Sequence, residues 1–388
     1  MNSNVWSNNM QKSISRLLAL LGLLMAFSLI AASCGNDDDS SADAPSNTAT
    51  PSATADSGAD AEATPIVLAQ NGGTLQTVLD RGNVRCGSRD DVPGFALLND
   101  AGEYEGFDID MCRAVAAAIF GDADEVEIVP VTSAERFTAL ASGQFEVMNR
   151  NTTWTATRDG DEGANFLFTT YYDGQGIMVP ASTGFTTLND LEDANICVST
   201  GTTTELNLTA VFQARQIPFN PVTFEGFDTL VPAYEEGQCE AMTADSSVLG
   251  VFKYEIEQDG GDDQHIMTEL ISKEPLGTVV RDGDTEWAQV VNWATMATVQ
   301  AWEFGLDSSN IGSYSGTDPN ILNFIGAGQD GDGFNPGLGL PDDFAVHVVE
   351  QVGNYEEIFN RYPQLGVLEG SVNDLWSNGG LMYVPPYR

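Results

Sequence analysis

The chain has 388 residues, with 57 acidic against 15 basic side chains and a formal net charge of −42 at pH 7. Nucleic-acid recognition requires clustered Lys and Arg, so this charge balance excludes that class of partner. The length allows two packed domains, and a strongly acidic chain repels copies of itself, so we expect a soluble monomer.

The N-terminal segment has the pattern of a bacterial export signal. Basic residues precede an apolar run over 17–30, and small residues follow it directly before Cys34. A run of about 14 residues is shorter than the roughly 20 that a membrane-spanning helix needs. The segment 1–33 resembles a lipoprotein signal with Cys34 as the lipidated residue, although Ala31 stands where such signals usually carry Leu. An ordinary secretory peptide is the alternative, and both place the mature protein outside the cytoplasm.

Residues 34–71 contain no aromatic and no basic side chain. Such a composition cannot bury a core, so we expect a disordered acidic tether here. A lipidated bacterial cysteine is expected to carry more than one acyl chain, which anchors a protein stably. The tether would therefore hold the folded part of the chain near the outer face of the cytoplasmic membrane.

From residue 72 onward, predicted strands alternate with predicted helices, which is typical of α/β sheets covered on both faces. The first unit comprises a strand, a helix, a strand, a helix and a strand, over 83–88, 107–120, 125–131, 134–142 and 145–149. The second unit comprises strands over 177–179, 195–199, 222–224 and 241–244, with helices over 204–215 and 229–236. Two similar lobes follow from this pattern.

Four cysteines remain in the folded part, an even number in an exported chain, which predicts disulfides. Three connectivities are possible. Pairing Cys86 with Cys112 and Cys197 with Cys239 is favoured because each pair falls within one predicted lobe, and each bridge would contribute about 3–4 kcal/mol. Zinc is disfavoured, since the cysteines show no CxxC spacing and the sequence has only two histidines. We expect no metal and no cofactor.

Polar side chains follow the predicted strands, and ligands of open α/β sheets bind beyond the carboxyl ends of strands. The residues in question are Arg89, Thr153, Trp154, Arg158 and Asp245. After the strand over 195–199, Thr202 and Glu205 stand at capping-box spacing over a helix start, which is an anion site. Cations, an anion-binding helix start and a carboxylate together suit a zwitterion.

Six segments resemble the periplasmic solute-binding proteins of polar amino-acid ABC transporters, especially the general L-amino-acid-binding branch. They are GEYEGFDIDMCRAVAAAIFGD, SGQFEVMNRNTTWTATRD, FTTYYDGQGIMV, ICVSTGTTTELNL, EGQCEAMTADSS and KEPLGTVVRDGD. The resemblance covers 72–388 and implies a type II periplasmic-binding-protein-like fold, with two α/β lobes, a two-strand hinge and the ligand cleft between them. Lobe 1 would comprise 72–172 and 283–388, and lobe 2 would comprise 173–282, with crossing segments over 170–176 and 273–282.

The resemblance also implies roles for individual residues. Arg158 would bind the α-carboxylate of the ligand as a bidentate fork, helped by Thr153 and by Thr203 at the helix start beside Thr202. Asp245 would bind the α-ammonium group. The alternatives are a surface ion pair for Arg158 and a helix cap for Asp245.

Two further residues bear on the side chain of the ligand. Relatives that bind basic amino acids have Asp at the position of Arg89, so Arg89 favours neutral or acidic ligands, unless it pairs with Asp90 or Asp91. Trp154 is expected to form an apolar wall of the cleft or, equally, part of the core.

These inferences predict a binding protein that captures an L-amino acid and delivers it to a membrane permease, not an enzyme. The alternative is a dehydratase for prephenate or arogenate, which occurs on the same scaffold. Its general acid would need a carboxyl group with a raised pKa in the cleft, and Glu205 is the candidate in the sequence. A ligand-sensing receptor module is a third alternative, which we expect less because no transmembrane helix and signalling domain follow.

Overall fold

The computed structural model describes residues 73–388. The export signal, Cys34 and the acidic tether predicted over 1–71 lie outside this range. Within 73–388, none of the helices combines the length and the apolar character required to cross a membrane.

The strands form two five-stranded sheets and one three-stranded sheet. In chain order they are β1 (Val84–Ser88), β2 (Asp91–Val92), β3 (Ala96–Leu98), β4 (Tyr104–Glu105), β5 (Val126–Pro130), β6 (Val147–Met148), β7 (Ala164–Asp173), β8 (Gln175–Pro180), β9 (Asn195–Ser199), β10 (Asn220–Phe224), β11 (Ala241–Asp245), β12 (Gln264–Ile266) and β13 (Glu274–Arg281).

The helices cover the faces of the two large sheets. In chain order they are α1 (Thr74–Arg81), α2 (Phe107–Phe120), α3 (Arg136–Ala141), α4 (Ala156–Asp161), α5 (Thr203–Arg215), α6 (Phe227–Glu235), α7 (Ser246–Gln258), α8 (Thr285–Glu303), α9 (Pro319–Phe324), α10 (Phe344–Val352) and α11 (Tyr355–Arg361).

Each large sheet has a parallel part and an antiparallel part. The first sheet has the order β5-β1-β6-β13-β7, with β1 parallel to β5 and β6, and β13 antiparallel to β6 and β7. The second sheet has the order β10-β9-β11-β8-β12, with β9 parallel to β10 and β11, and β8 antiparallel to β11 and β12. The same arrangement in both sheets places the carboxyl ends of their parallel strands at one edge of each lobe.

The chain crosses between the sheets twice, at neighbouring points. It leaves β7 at Asp173 and enters β8 at Gln175, and it returns after Ser272 into β13 at Glu274. The sequence placed a crossing segment over 273–282 at the end of lobe 2, and in the structure 274–281 forms β13, which pairs with β6 and β7 in the first sheet.

Helix α2 shows why the sequence folds as it does in the first lobe. Asp108 and Asp110 lie in its first turn, and the helix ends at Gly121 in the left-handed region, with a φ of 69°. The helix is apolar on nearly all sides because it packs between β1 and the helices α8 and α10.

Both cysteine pairs are bonded in the structure. Cys86 on β1 is joined to Cys112 on α2 with a Cα–Cα distance of 6.0 Å, and Cys197 on β9 is joined to Cys239 before β11 with a Cα–Cα distance of 5.7 Å. Each bridge lies within one lobe, as the favoured pairing required. One bridge therefore joins α2 to β1, and the other joins the loop before β11 to β9.

The segment after α8 completes the first lobe and holds β7 beside the crossing. The Tyr355 hydroxyl donates to Thr170 O at 2.8 Å. Asn373 accepts from the Tyr172 backbone N–H at 2.7 Å and donates to the Tyr172 carbonyl at 3.1 Å. The ring of Tyr355 also contacts that of Phe107 edge-to-face at 5.7 Å between centroids, so the core of this lobe continues beneath the C-terminal helices.

Candidate ligand-binding site

A small polar cavity lies between the two lobes, at the carboxyl ends of β1, β6, β9 and β11, where the strand rule predicted a ligand. Its volume is about 30 Å³, and we call it the inner cavity. The residues that line it come from both lobes: Arg89, Ser133, Arg136, Arg150, Asn151, Thr153, Arg158, Ser199, Thr202, Thr203, Thr204, Phe227, Ala244, Asp245 and Val248. Of the residues predicted for the ligand, all but Trp154 are in this set.

Four arginines meet at this cavity, each of them nearly inaccessible to solvent. They are Arg89 (3% exposed), Arg136 (3%), Arg150 (3%) and Arg158 (8%). The whole chain has 15 basic residues and a net charge of −42. The cleft thus concentrates positive charge inside a strongly negative protein, and a buried charge is stable only when it is paired or hydrogen-bonded.

Arg158 lies in the first turn of α4, where Thr155 caps the helix by accepting the Arg158 backbone N–H at 3.2 Å. The Arg158 Nη1 atom donates to the Thr153 carbonyl at 2.9 Å, and the guanidinium lies 5.4 Å from the centre of the Phe137 ring. Burial lowers the pKa of Arg158, and the neighbouring carboxylates of Glu274 and Asp245 oppose this effect. The guanidinium is therefore oriented by the protein and directed into the cleft, and it makes no surface ion pair.

Arg89 is paired within the protein. Its Nε donates to Asp91 at 2.7 Å, and its Nη1 donates to the Asn151 side chain at 3.1 Å. The guanidinium also lies 4.9 Å from the centre of the Phe227 ring in the other lobe. Burial alone would raise the pKa of Asp91, but the ion pair with Arg89 brings it down to about 2. The pairing of Arg89 with Asp91, left open by the sequence, is present, and Arg89 still lines the cavity.

Asp245 ends β11 and is 7% exposed. It occupies the N-cap position of α7, yet its side chain makes no capping hydrogen bond. The carboxylate instead accepts from Asn151 Nδ2 of the other lobe at 3.2 Å. Burial raises the pKa of Asp245 well above its usual range, and the charges of Asp173 and Glu274 add to this effect. A cationic group of a ligand beside Asp245 would restore its negative charge.

The threonines of the cleft have distinct hydrogen-bond partners. Thr202 caps α5 by accepting the Glu205 backbone N–H at 3.1 Å, while the Glu205 carboxylate accepts the Gly201 N–H at 2.9 Å. The Glu205 carboxylate thus completes the cap of α5, which accounts for its presence without a role as a general acid. The Thr203 hydroxyl donates to Glu274 at 2.9 Å and lies 3.4 Å from the Thr153 hydroxyl of the first lobe.

Trp154 neither lines the cavity nor belongs to the core, which were the two positions that the sequence left open for it. Its ring is 40% exposed and stacks on Phe166, with 5.9 Å between ring centroids. Its backbone N–H donates to Pro275 O at 2.8 Å, so the chain is extended beside β13. Successive side chains of an extended segment point to opposite sides, so a segment that turns Thr153 into the cleft turns Trp154 out of it.

Sequence analysis did not identify Arg136, Arg150, Asn151 or Phe227 as site residues. Arg150 and Asn151 follow β6 directly, so the strand-end rule could have found them. Arg136 is the first residue of the short helix α3. In the sequence it cannot be distinguished from a basic residue on the solvated face of a helix. Phe227 is the first residue of α6 and carries no polar group. The sequence gives no signal that its ring contacts Arg89 of the other lobe.

A second, larger cavity of about 500 Å³, which we call the outer cavity, lies beside the first and shares Arg150 with it. Carboxylates dominate its rim: Asp90, Asp91, Glu135, Glu225 and Asp228. The lobes also touch across this region, where the Phe227 backbone N–H donates to Asp91 at 2.8 Å. Within 73–388, no group of three or more His, Cys, Asp and Glu side chains is arranged to hold a metal ion.

Two mixed α/β lobes that face each other across a polar cleft, with charged groups of both signs at the strand ends, define a two-lobed receptor for a small polar solute. Residues 84–303 match the family described as bacterial extracellular solute-binding proteins, family 3. This match covers more than half of the chain, which belongs to that family. The predicted family and the two-lobed fold are thereby confirmed.

Several relatives share nearly the whole folded part. The chain is 42% identical over 319 residues to the general L-amino acid-binding periplasmic protein AapJ of Rhizobium johnstonii, covering 81% of this chain and 93% of the relative. It is 40% identical over 326 residues to the glutamate/glutamine/aspartate/asparagine-binding protein BztA of Rhodobacter capsulatus, covering 82% of this chain and 95% of the relative. A solved structure, the ABC transporter/periplasmic binding protein from Brucella ovis with glutathione bound, superposes with a TM-score of 0.75 at 41% identity and covers 81% of this chain and 99% of that chain.

Proposed function

We propose that this protein is the extracytoplasmic solute-binding component of an ABC importer, which captures L-amino acids and delivers them to a membrane permease. The observation that carries the proposal is the cavity between the lobes, with Arg158 on the first lobe and Asp245 on the second. A guanidinium and a carboxylate on opposite walls suit the α-carboxylate and the α-ammonium group of an amino acid. The relatives named as amino-acid-binding proteins support the same class of ligand.

Arg158 is assigned the α-carboxylate. Its Nη1 is bonded to Thr153 O, and its other guanidinium nitrogens make no hydrogen bond to any residue within 73–388. Thr203 contributes chiefly through its backbone N–H, which has no acceptor within the helix because it lies in the first turn of α5. Its hydroxyl proton is directed to Glu274, so the oxygen of this hydroxyl can accept from the ligand ammonium group, beside Asp245.

Closure of the lobes is part of the proposed cycle. A cavity of about 30 Å³ has room for one or a few water molecules, so an amino acid requires the lobes to separate before it enters. The two crossings, at Asp173–Gln175 and Ser272–Glu274, are the positions where the chain passes between the sheets. We place the hinge there, within the crossing segments 170–176 and 273–282 expected from the sequence.

Export, lipidation of Cys34 and a monomeric state complete the proposal. The relatives are periplasmic or extracellular binding proteins, which supports export. The acidic segment 34–71 would then link a lipid anchor to the folded lobes on the outer face of the membrane. Disulfides at both cysteine pairs agree with an oxidising compartment.

The experiment that tests the proposal is a thermal-shift screen of the purified protein against the twenty L-amino acids, with recovery of each ligand. A ligand present at 100 times its Kd should stabilise the protein by about 2.7 kcal/mol. We expect several amino acids to raise the Tm and to be recovered unchanged. No shift with any of them, or conversion of prephenate or arogenate to a product, would overturn the proposal in favour of another ligand or of the dehydratase.

A longer ligand is a second candidate, favoured by one observation. The cavity of about 500 Å³ adjoins the inner cavity at Arg150 and would accommodate a group that extends beyond a single amino acid. The Brucella ovis relative, with glutathione bound, is consistent with a ligand of that length. Including glutathione in the same screen distinguishes the two candidates.

A further inference from the structure

Arg136 is a buried guanidinium without a hydrogen-bond partner. The residue is 3% exposed, and its Nε atom, which is inaccessible to solvent, has no partner within the described residues. None of the other residues of 73–388 accepts a hydrogen bond from its terminal nitrogens. Its guanidinium lies 5.2 Å from the centre of the Phe137 ring and borders the inner cavity. A planar donor with five N–H groups thus borders the cleft without an acceptor from the described residues.

The neighbouring charges do not compensate Arg136. The charged groups that act on it are Arg158, Arg150 and Arg89, which repel it, and Asp245, which attracts it. Burial lowers its pKa well below the usual range, and the three guanidiniums lower it further. Asp245 is itself bonded to Asn151 and lies on the opposite lobe. The position is costly for the protein alone, because it combines desolvation with repulsion.

Each of the other three arginines has a partner in the protein or a proposed partner in the ligand, and Arg136 has neither. Arg89 is paired with Asp91. The Arg150 Nε donates to Val131 O at 2.7 Å, and Asp91 and Asp108 raise its pKa against the effect of burial. Arg158 is assigned the α-carboxylate. An amino acid with a single carboxylate would therefore leave Arg136 unpaired in the closed cleft.

We propose, on the basis of the function proposed above, that Arg136 is the receptor for a second carboxylate and that the preferred ligands are α-amino acids with an acidic side chain. Arg136 and Arg158 both lie against the ring of Phe137 and both line the inner cavity, so one small ligand in that cavity would meet both guanidiniums. The carboxylates of the outer cavity would repel a second anion placed further out. This favours aspartate and glutamate over a longer dianionic peptide.

The test compares matched ligands on matched variants by titration calorimetry of the full chain. Glutamate and glutamine differ by the charge of one group, as do aspartate and asparagine. A charge-assisted hydrogen bond contributes about 1.5–3 kcal/mol, which is roughly 10- to 150-fold in Kd. We expect wild type to bind glutamate at least about tenfold more tightly than glutamine, and Arg136→Gln to lose this preference while its Kd for glutamine stays within about threefold. Arg215→Gln, which removes an exposed arginine paired with Glu269, is the control and should keep the preference.

Two further measurements keep the outcome decisive. Arg136→Met removes the unpaired charge, so we expect it to fold and to have a higher Tm than wild type without ligand. A lower Tm would overturn the account of Arg136 as uncompensated.

Equal weakening of glutamate and glutamine binding by Arg136→Gln, or no change for either, would overturn the second-carboxylate site and leave the proposed function intact. Glutathione bound more tightly than glutamate, in an Arg136-dependent manner, would overturn the restriction to short ligands. Binding of none of the twenty amino acids would instead overturn the proposed function and this inference with it.

Discussion

Asp173 and Glu274 are direct neighbours in the antiparallel register of β7 and β13, at the two points where the chain crosses between the lobes. Each carboxylate accepts hydrogen bonds from the start of a helix in the second lobe. Asp173 accepts from the backbone N–H and the hydroxyl of Ser247 in α7. Glu274 accepts from Thr203 at 2.9 Å and from Asn207 at 2.8 Å, both in α5. The two crossings are therefore bonded to the second lobe by one buried acid, Glu274, and one partly buried acid, Asp173.

We expect Glu274→Ala to destabilise the protein by about 1–3 kcal/mol, because it leaves the partly buried donors of Thr203, Asn207 and Ser272 without this acceptor. Glu274→Gln retains an acceptor oxygen and should cost less. Urea unfolding measures both. Glu269→Ala, which breaks an exposed ion pair with Arg215, is the control and should cost less than about 1 kcal/mol. Equal stabilities of Glu274→Ala and Glu269→Ala would contradict the role of Glu274.

Arg158→Ala should abolish binding of every amino acid while the protein remains folded. Loss of a charge-assisted contact to a desolvated carboxylate costs about 2–5 kcal/mol, or roughly 30-fold or more in Kd. Trp154→Ala is a control from the same segment, and its Kd should stay within about threefold because its ring stacks on Phe166 outside the cavity. Calorimetry distinguishes the two variants. Near wild-type affinity in Arg158→Ala would refute the assignment.

Asp108 should make stability depend on pH. Burial raises its pKa from 3.8 to about 7, although it accepts the Asn151 N–H at 2.6 Å and has Arg89 and Arg150 nearby. Because the folded chain then holds a proton that the unfolded chain releases near pH 4, this group's contribution to stability falls as pH rises from about 4 to 7. The slope is at most about 1.4 kcal/mol per pH unit.

The matched variant for this effect is Asp108→Asn, which keeps an acceptor oxygen and never ionises. Its stability relative to wild type should increase between pH 5 and pH 8, as measured by urea unfolding at each pH. Other carboxylates titrate in both proteins and cancel in the comparison. A difference between the two proteins that does not change with pH would show that Asp108 keeps its ordinary pKa.

Saturating ligand should make the protein more compact in solution. The amino acid would bridge Arg158 and Asp245 on opposite lobes, so it binds the closed arrangement more tightly and shifts the population toward it. Small-angle scattering should show a smaller radius of gyration with ligand for wild type. Asp245→Asn should weaken binding and compaction together, and Arg158→Ala should show no compaction. An unchanged radius in wild type at saturation would argue for a rigid protein.

The parts of the fold that follow local rules were accessible from sequence. Helix α2 has the predicted bounds because acids open it and Gly121 ends it, and β9 has the predicted bounds because a buried parallel strand is a short apolar run. The local strand pattern missed β7 and β13, and strands near them were implied only by the resemblance, at the crossing segments over 170–176 and 273–282. Their residues are determined by long-range pairing across more than a hundred positions, which leaves no periodic local signal.

The candidate site divides in the same way. Thr153 and Asp245 follow predicted strands, and the structure places both at the cavity. The face of an extended segment decides whether its side chain enters the cleft, and this explains why Trp154 was misplaced. Arg136 was missed because its lack of a partner is a property of the assembled cleft, which depends on three other arginines distant in sequence.

The bond from the Phe227 N–H to Asp91 joins the lobes without requiring a ligand atom. Such a contact lowers the free energy of the closed form by the same amount for every solute. This bond therefore contributes to affinity and not to selectivity. Loss of this one hydrogen bond would scale all dissociation constants by a common factor, while the side chains of Phe227 and of Arg89, which line the inner cavity, would affect the order of preference among solutes.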